Sequence, residues 1–219
     1  VPFVSKAKGL PLAKIASRIM AGEKLSKFNL KDKSKGMCAV KEAVFPFNKF
    51  PNSDLLLGPE MKSTGEVMGR GKTFGEAFGK SMMGAGQLIP SKGNVFISVK
   101  DEDKSQLKTL CTKLKGLGFK FIATKGTGLK MKEDGFEVKI INKVMEGRPH
   151  IVDAILNNEV SMVINTTEGR QSIKDSYSIR RSALEHSVFL TTTISGGFAI
   201  VESLEQGEKV WSYDALQNS

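Results

Sequence analysis

The chain has 219 residues, 40% of them hydrophobic and 26% charged, which is typical of globular proteins and allows one large domain or two modest ones. No apolar run approaches the roughly 20 residues needed to cross a bilayer, so neither a membrane-spanning segment nor a membrane partner is expected. The net charge of +10 is local, because residues 1–86 carry 15 basic and 7 acidic side chains whereas residues 87–219 carry 18 and 16.

This basic excess does not resemble a nucleic-acid-binding surface. Much of it lies between Lys24 and Lys41, where Phe28 is the only aromatic residue before the strand and no nucleic-acid motif is present. We interpret it as a solvated surface or as a face that meets the rest of a larger protein, with polyanion binding as the alternative. No nucleic-acid partner is expected.

The first 86 residues have a mixed pattern. A helix is predicted over Leu10–Met20, a loop up to Gly36, and an edge or terminal strand over Ala39–Phe47. Residues 55–69 have no clean period and are predicted to be irregular, and a second helix is predicted over Thr73–Met83. Because the chain starts at Val1 without an initiator methionine, we expect it to be a piece of a longer protein.

After a predicted linker at Pro90–Gly93, strands and helices alternate. This alternation predicts βαβ units with a parallel sheet and right-handed crossovers, an α/β fold. The predicted strands and helices are, in order, Asn94–Val99, Lys104–Leu117, Phe119–Ala123, a short helix near Leu129, Phe136–Ile141, His150–Asn157, Met162–Asn165, Gln171–His186, Val188–Thr191 and Gly197–Leu204.

Polar residues collect where three of these strands end. Ser98 ends the first strand and Lys104 starts the next helix, while residues 124–128 (TKGTG) and 165–170 (NTTEGR) follow two other strands. The carboxyl ends of parallel strands share one edge, where helix N-termini offer free N–H groups to anions. With Lys143, these segments predict a phosphate or ribose-phosphate site, and ordinary helix capping is the alternative for each segment alone.

Signs of catalysis are scarce. His150 and His186 have no cysteine or carboxylate at metal-ligand spacing, so structural or surface roles are expected and no metal site is predicted. Cys111 falls on the apolar side of a helix, and Cys38 follows Lys35-Gly36 in a loop or strand. Two cysteines are too few for a disulfide framework, which predicts reduced thiols and a cytoplasmic location.

Several long motifs resemble one known family, the large subunit of carbamoyl-phosphate synthetase. Three motifs resemble the end of its second ATP-grasp domain: VPFVSKA at 1–7, FPFNKFP at 45–51 and GPEMKSTGEVMG at 58–69. Three others resemble the methylglyoxal-synthase-like domain that follows it: EGRPH at 146–150, INTTEGR at 164–170 and IRRSAL at 179–184. The resemblance implies that residues 1–86 are the α+β end of an ATP-grasp domain and residues 87–219 a Rossmann-like regulatory domain.

The family makes carbamoyl phosphate from bicarbonate, glutamine-derived ammonia and two ATP, for pyrimidine and arginine biosynthesis. The resemblance implies that this chain is part of a glutamine-dependent, ATP-dependent ligase that is oligomeric. Its partners would be the upstream large-subunit domains and the small glutamine amidotransferase subunit. In the family the ligands of Mg²⁺ and ATP lie upstream of the match to Val1. No cofactor is therefore expected in this segment, while ATP and Mg²⁺ or Mn²⁺, with K⁺ as a further ion, would serve the intact enzyme.

The resemblance also implies two regulatory sites. The family's contacts to UMP or IMP effectors fall on Ser98, Lys104, Thr124, Thr127, Lys143, Asn165 and Thr167. Its ornithine site, between the two domains, falls on Glu42, Asp175 and Thr192. Two positions depart from the family, since Leu190 stands where relatives often have tyrosine and Gln171 replaces the second arginine of a pair. Because of Leu190, weak or absent ornithine binding is expected.

A freestanding methylglyoxal-synthase-like phosphate lyase is the alternative function. That chemistry needs a carboxylate base beside the phosphate cradle. The corresponding loop, residues 143–150, reads KVMEGRPH and has no Gly-Gly-Asp run. The sequence therefore favours the regulatory interpretation.

Overall fold

A computed structural model describes residues 1–31, 36–45, 63 and 65–207 of the chain. The predictions for Pro46, Phe47 and residues 55–62 and 64 lie outside these ranges, as do the motif at 45–51 beyond its first residue and half of the motif at 58–69.

The chain opens with two short helices, α1 (Pro2–Lys8) and α2 (Leu12–Met20). α1 was not predicted. It has proline at its N-terminus, where the missing N–H costs nothing, and it ends at Gly9 in the left-handed conformation at φ 64°. α2 confirms the predicted helix, although it starts two residues later than predicted because Pro11 forms its N-cap. A single 3₁₀ turn, Leu25–Lys27, lies in the predicted loop.

A two-stranded antiparallel sheet follows, formed by β1 (Cys38–Val44) and β2 (Gly65–Gly71). β1 confirms the predicted strand over its described part. The prediction of irregular structure is wrong from Gly65 onward. The glycines of this strand obscured its alternating pattern. Gly69 is required by packing, because a Cβ there would lie 1.9 Å from the carbonyl oxygen of Ala77 in the helix that covers the sheet.

That helix, α3 (Phe74–Gly84), confirms the predicted helix, and Thr73 caps it by accepting a hydrogen bond from the N–H of Glu76 (3.2 Å). One side of α3 packs on the small sheet and another packs on the last helix of the chain. α3 therefore links the N-terminal part of the chain to the larger α/β unit.

The larger unit contains a five-stranded sheet, which is parallel throughout. Its strands are β3 (Asn94–Ser98), β4 (Lys120–Ala123), β5 (Lys139–Ile140), β6 (Met162–Asn165) and β7 (Phe189–Thr191). They lie in the order β5-β4-β3-β6-β7, which confirms the predicted α/β fold. The strand predicted over Phe136–Ile141 is too long, since Lys139 and Ile140 alone form it. The apolar residues before it, Phe136 and Val138, suggested a longer strand because they are buried in the hydrophobic core.

Helices cover both faces of this sheet: α4 (Lys104–Gly116), α5 (Lys125–Glu133), α6 (Ile151–Leu156), α7 (Gly169–Asp175), α8 (Tyr177–Glu185) and α9 (Ile194–Glu205). The helix predicted over Gln171–His186 is wrong as one element, since it breaks at Ser176. The buried guanidinium of Arg180 donates to the carbonyl of Ile173 (3.0 Å), which satisfies a group near the break. The last helix starts three residues earlier than predicted.

Two apolar layers hold the helices to the sheet. Val95 and Ile97 of β3 pack into one layer with α4 and α9, while Phe96 faces the other with α6 and α8. This alternation along β3 is the period of two expected of a strand that is buried on both faces. The buried faces fix the register of the sheet, and the register brings the three polar strand ends to one edge.

Candidate functional site

Hydrogen bonds made by hydroxyl side chains connect the loops at the carboxyl edge of the sheet. The hydroxyl oxygens of Ser98 and Thr124 lie 3.2 Å apart. The N–H of Val99 donates to Thr127 Oγ1 (3.1 Å), and the N–H of Lys100 donates to Thr166 Oγ1 (3.0 Å). The loops that follow β3, β4 and β6 are therefore joined to one another. We call Ser98, Lys104, Thr124, Thr127 and Asn165 the strand-end site.

Lys104 supplies the positive charge of this site. It is the first residue of α4, and its ammonium nitrogen lies 2.7 Å from Asp101 Oδ1. A Cβ built on Gly126 would lie 3.8 Å from the same nitrogen. The ammonium group is thus held against the first turn of α5, which the glycine leaves open.

Asn165 lies deep in the same edge. It is 2% exposed, and it is the register partner of Ser98 on the neighbouring strand. Its Nδ2 is buried and has no hydrogen-bond partner in the described part of the chain. Buried donors of this kind are rare in folded proteins, because an unmade hydrogen bond costs about 1–3 kcal/mol.

Two of the predicted effector residues lie further out. Lys143 is exposed on the loop after β5, where its N–H donates to Glu146 Oε2 (2.9 Å). Thr167 is partly buried, two residues beyond Asn165. Among the described residues, no hydrogen bond links either side chain to Ser98, Thr124 or Thr127. The structure thus gathers five of the seven predicted residues at the strand ends, and Lys143 and Thr167 flank them.

Two residues at this edge were not singled out from the sequence. Thr166 is buried and binds the backbone of Lys100, and the lysine side chain forms ion pairs with Glu102 (2.7 Å) and Glu168 (3.9 Å). Thr166 could have been found from the sequence, because it stands next to Thr167, which was predicted to contact the effector. Lys100, two residues beyond the strand end, could have been found from its place in the same loop as Lys104.

The predicted interdomain residues lie elsewhere. Glu42 is opposite Val67 in the small sheet, and a Cβ on Gly84 of α3 would lie 3.5 Å from Val67, so the strand face that carries Glu42 is turned toward α3. Burial raises the pKa of Glu42 above its ordinary value. Thr192 lies between β7 and α9, and Asp175 ends α7, with its side chain outside the described part. Because the Asp175 side chain is not described, the proximity of Glu42 and Asp175 stays a prediction. Leu190 packs against the core layer on the Phe96 face.

The remaining candidates for chemistry have structural environments. His150 is buried and caps α6. Its ring Nδ1 accepts a hydrogen bond from the backbone N–H of Asp153 (3.3 Å), and the backbone N–H of His150 donates to the carboxylate of Asp153 (2.9 Å). His186 is exposed. Burial, helped by Asp134, raises the pKa of the Cys111 thiol to about 12. Within the described ranges, no group of three or more His, Cys, Asp or Glu could hold a metal ion, and no helix there is long and apolar enough to cross a membrane.

The amino-acid sequence of the chain is similar to known proteins. A family model described as "MGS-like domain" matches residues 106–192. The carbamoyl phosphate synthase large chain of Pseudomonas syringae pv. tomato is 56% identical over 208 residues, which cover 94% of this chain and 19% of that relative. Those of Xanthomonas campestris pv. campestris and Pasteurella multocida are 50% and 54% identical, covering 99% and 94% of this chain and 20% and 19% of the relatives.

Residues 106–192 therefore form an MGS-like domain within an α/β fold. The chain as a whole is similar to the C-terminal part of carbamoyl phosphate synthase large chains, which confirms the resemblance seen in the motifs. It spans about one fifth of the length of the curated relatives that it matches.

Proposed function

We propose that the strand-end site binds the phosphate of a nucleoside monophosphate of the UMP or IMP type. The observation that carries this proposal is the amide nitrogen of Asn165, a buried donor beside the end of β3 that no described residue satisfies. A ligand with acceptor oxygens would satisfy this donor and remove the cost of leaving it unpaired.

The chemistry around Asn165 suits a phosphate ester. Lys104 offers an ammonium group at the start of a helix, and Ser98 and Thr124 offer hydroxyl groups on adjacent loops. Gly126 allows the backbone of α5 to approach a ligand closely. Cations, hydroxyls and N–H groups at a helix N-terminus are the donors that phosphate oxygens accept from in proteins. Lys143 and Thr167 would close the outer side of the site.

The relatives' names support a wider proposal. The chain would be the C-terminal regulatory part of the large subunit of a glutamine-dependent, ATP-dependent carbamoyl-phosphate synthase. Residues 1–86 would complete the ATP-grasp domain, with the upstream large-subunit domains and the small amidotransferase subunit as partners. The residues for ATP and Mg²⁺ would lie upstream, so we expect this chain alone to hydrolyse no ATP above background when supplied with bicarbonate and ammonia.

A second regulatory ligand would bind between the two domains. Glu42, Asp175 and Thr192 would hold the ammonium groups of ornithine, because a cation that leaves water needs carboxylate partners. The raised pKa of Glu42 marks a carboxylate that is partly removed from water, with no compensating cation in the part of the chain that the structure describes. Leu190 cannot supply the hydroxyl of tyrosine, so we expect weak ornithine binding.

Calorimetric titration of UMP and IMP into the whole chain tests the nucleotide proposal. Lys104→Ala removes one charged hydrogen bond worth about 1.5–3 kcal/mol, so the affinity should fall roughly ten- to hundredfold. Lys115→Ala is the matched control, because this exposed lysine lies on the same helix about 16 Å further along its axis. Failure of the unmodified chain to bind either nucleotide, or equal binding by Lys104→Ala, would contradict the proposal.

A further inference from the structure

A run of acidic residues stands at the mouth of the strand-end site. Asp101, Glu102 and Asp103 form a single 3₁₀ turn between β3 and α4, and Lys100 and Lys104 flank this turn in the sequence. Asp101 Oδ1 lies 2.7 Å from the ammonium of Lys104, and Glu102 Oε2 lies 2.7 Å from that of Lys100. The cation that we assign to the ligand phosphate is therefore already paired with a carboxylate.

Asp101 has no packing role that would explain its position. Its side chain is 93% exposed, and Lys104 is its ion-pair partner. The hydrogen bond from Lys104 lowers the pKa of Asp101, and an aspartate whose pKa is at or below its ordinary value is charged at neutral pH. Its effect on its surroundings is therefore mainly electrostatic.

Lys100 is neutralised more completely than Lys104. It lies near two carboxylates, Glu102 and Glu168, which belong to the loops on either side of the site. Among the described residues, Lys104 has one carboxylate neighbour, Asp101 three positions before it, and its ammonium lies against the open first turn of α5. Of these two lysines, Lys104 is the one that can turn to a ligand by giving up a single exposed contact.

We propose that Asp101 competes with the ligand phosphate for the ammonium of Lys104 and so limits the affinity of the strand-end site for phosphate esters. This inference rests on the proposed nucleotide-binding function. If Lys104 releases Asp101 on binding, the broken ion pair weakens the complex. If Lys104 keeps both partners, the carboxylate and the phosphate repel each other at short range. Both cases have the same sign, so Asp101 makes binding weaker.

The size of the effect follows from the exposure of the pair. Exposed ion pairs contribute about 0.2–1 kcal/mol, which corresponds to a change in affinity of up to about fivefold. Asp101→Asn in the whole chain should therefore bind UMP about two- to fivefold more tightly, and the gain should shrink as salt screens the pair. Binding of uridine, which has no phosphate to offer Lys104, should not change.

A double-mutant cycle makes the test specific to Lys104. Calorimetry would compare the unmodified chain with Asp101→Asn, Lys104→Ala and the double variant. In the Lys104→Ala background, Asp101→Asn should tighten UMP binding much less, because the competition has been removed. Glu159→Gln is the control for the change in charge, since Glu159 pairs with Lys139 at 2.8 Å beyond the opposite edge of the sheet and should leave UMP affinity unchanged.

The outcomes separate this inference from the function on which it rests. If the unmodified chain binds neither UMP nor IMP, both fail. If it binds UMP and Asp101→Asn binds equally or more weakly, the competition is wrong, and weaker binding would mean that Asp101 positions Lys104. An equal gain with and without Lys104 would also overturn the proposal, because the effect would then be a general one of charge.

Discussion

The N–H of Val99 donates a hydrogen bond to the hydroxyl oxygen of Thr127, across 3.1 Å between the end of β3 and the first turn of α5. The bond is buried, and Thr127 is 2% exposed. It fixes the distance between the two loops that carry Lys104 and Thr124. The strand-end site is therefore shaped by a contact that also contributes to the stability of the fold.

Replacing Thr127 by valine tests this contact. The two side chains have nearly the same shape, but valine cannot accept the hydrogen bond, so the buried N–H of Val99 loses its partner. We expect a loss of about 1–3 kcal/mol in the free energy of unfolding, measured by urea denaturation. Thr112→Val is the control, because Thr112 is exposed on α4 and its hydroxyl donates to the carbonyl of Lys108 in the previous turn. Equal stability of the two variants would contradict this account.

Asn165→Leu should separate binding from stability. Leucine has a similar size and removes a buried donor for which the described part of the chain offers no partner, so the free energy of unfolding should stay the same or rise by up to about 1 kcal/mol. UMP affinity should fall at least about tenfold, because the ligand loses this donor. Chemical denaturation and calorimetry on the same preparation measure both quantities. A variant that loses stability and keeps its affinity would show that Asn165 is structural.

Gly75 lies where α3 and α9 touch, and a Cβ there would come within 2.2 Å of the Glu202 carbonyl oxygen. Gly75→Ala should push the helices apart and lower the free energy of unfolding by about 1–3 kcal/mol. Gly116→Ala gives the opposite expectation. A Cβ at Gly116, in the last turn of α4, would meet nothing within 4 Å, so alanine should stabilise the helix by up to about 1 kcal/mol. Thermal melts of both variants measure the two effects, and a Gly75→Ala variant that melts no lower than the unmodified chain would refute the close contact.

The half-buried position of Glu42 predicts a pH dependence. Its pKa is raised in the folded protein, so the folded state binds a proton more tightly than the unfolded state. Its contribution to stability is therefore complete below the ordinary pKa of about 4.3 and is lost as the pH rises through the raised value. Glu42→Gln should match the unmodified chain near pH 4 and be more stable at pH 7.

Urea titrations at several pH values would measure this difference. Glu66→Gln serves as the comparison, because Glu66 is exposed and paired with Lys41 at 3.2 Å. We expect the difference in the free energy of unfolding between Glu42→Gln and the unmodified chain to grow with pH. If it does not, burial is excluded as the cause of the raised pKa of Glu42.

The sequence predicts the α/β unit well because its signals are local. Leu107, Leu110 and Leu114 mark one face of α4, and all three are buried in the structure. Ser98, Thr124 and Asn165 could be placed at one edge because parallel strands end on the same side of a sheet. The family resemblance pointed to the same residues.

Other features depend on contacts between distant parts of the chain. The glycines of β2 made a strand look irregular, because what selects them is the backbone of α3 and not a strand propensity. The break at Ser176 involves Arg180, four residues away, in a stretch that otherwise reads as one helix. The pairing of Asp101 with Lys104 could not be read from residue types, because neighbouring charges in a loop can point in any direction.

The glycine contacts of α3 have a mechanical consequence. On one side α3 meets β2 at Gly69, and on the other it meets the carbonyl of Glu202 through Gly75, so backbone lies against backbone on both sides. Side chains can absorb small shifts by changing rotamer, but main-chain atoms in contact cannot. α9 begins just beyond the carboxyl end of β7 and ends at this contact. A shift of α9 along its axis would therefore be passed through the main chain of α3 to β2, and the pairing of β2 with β1 would carry it to the strand that contains Glu42.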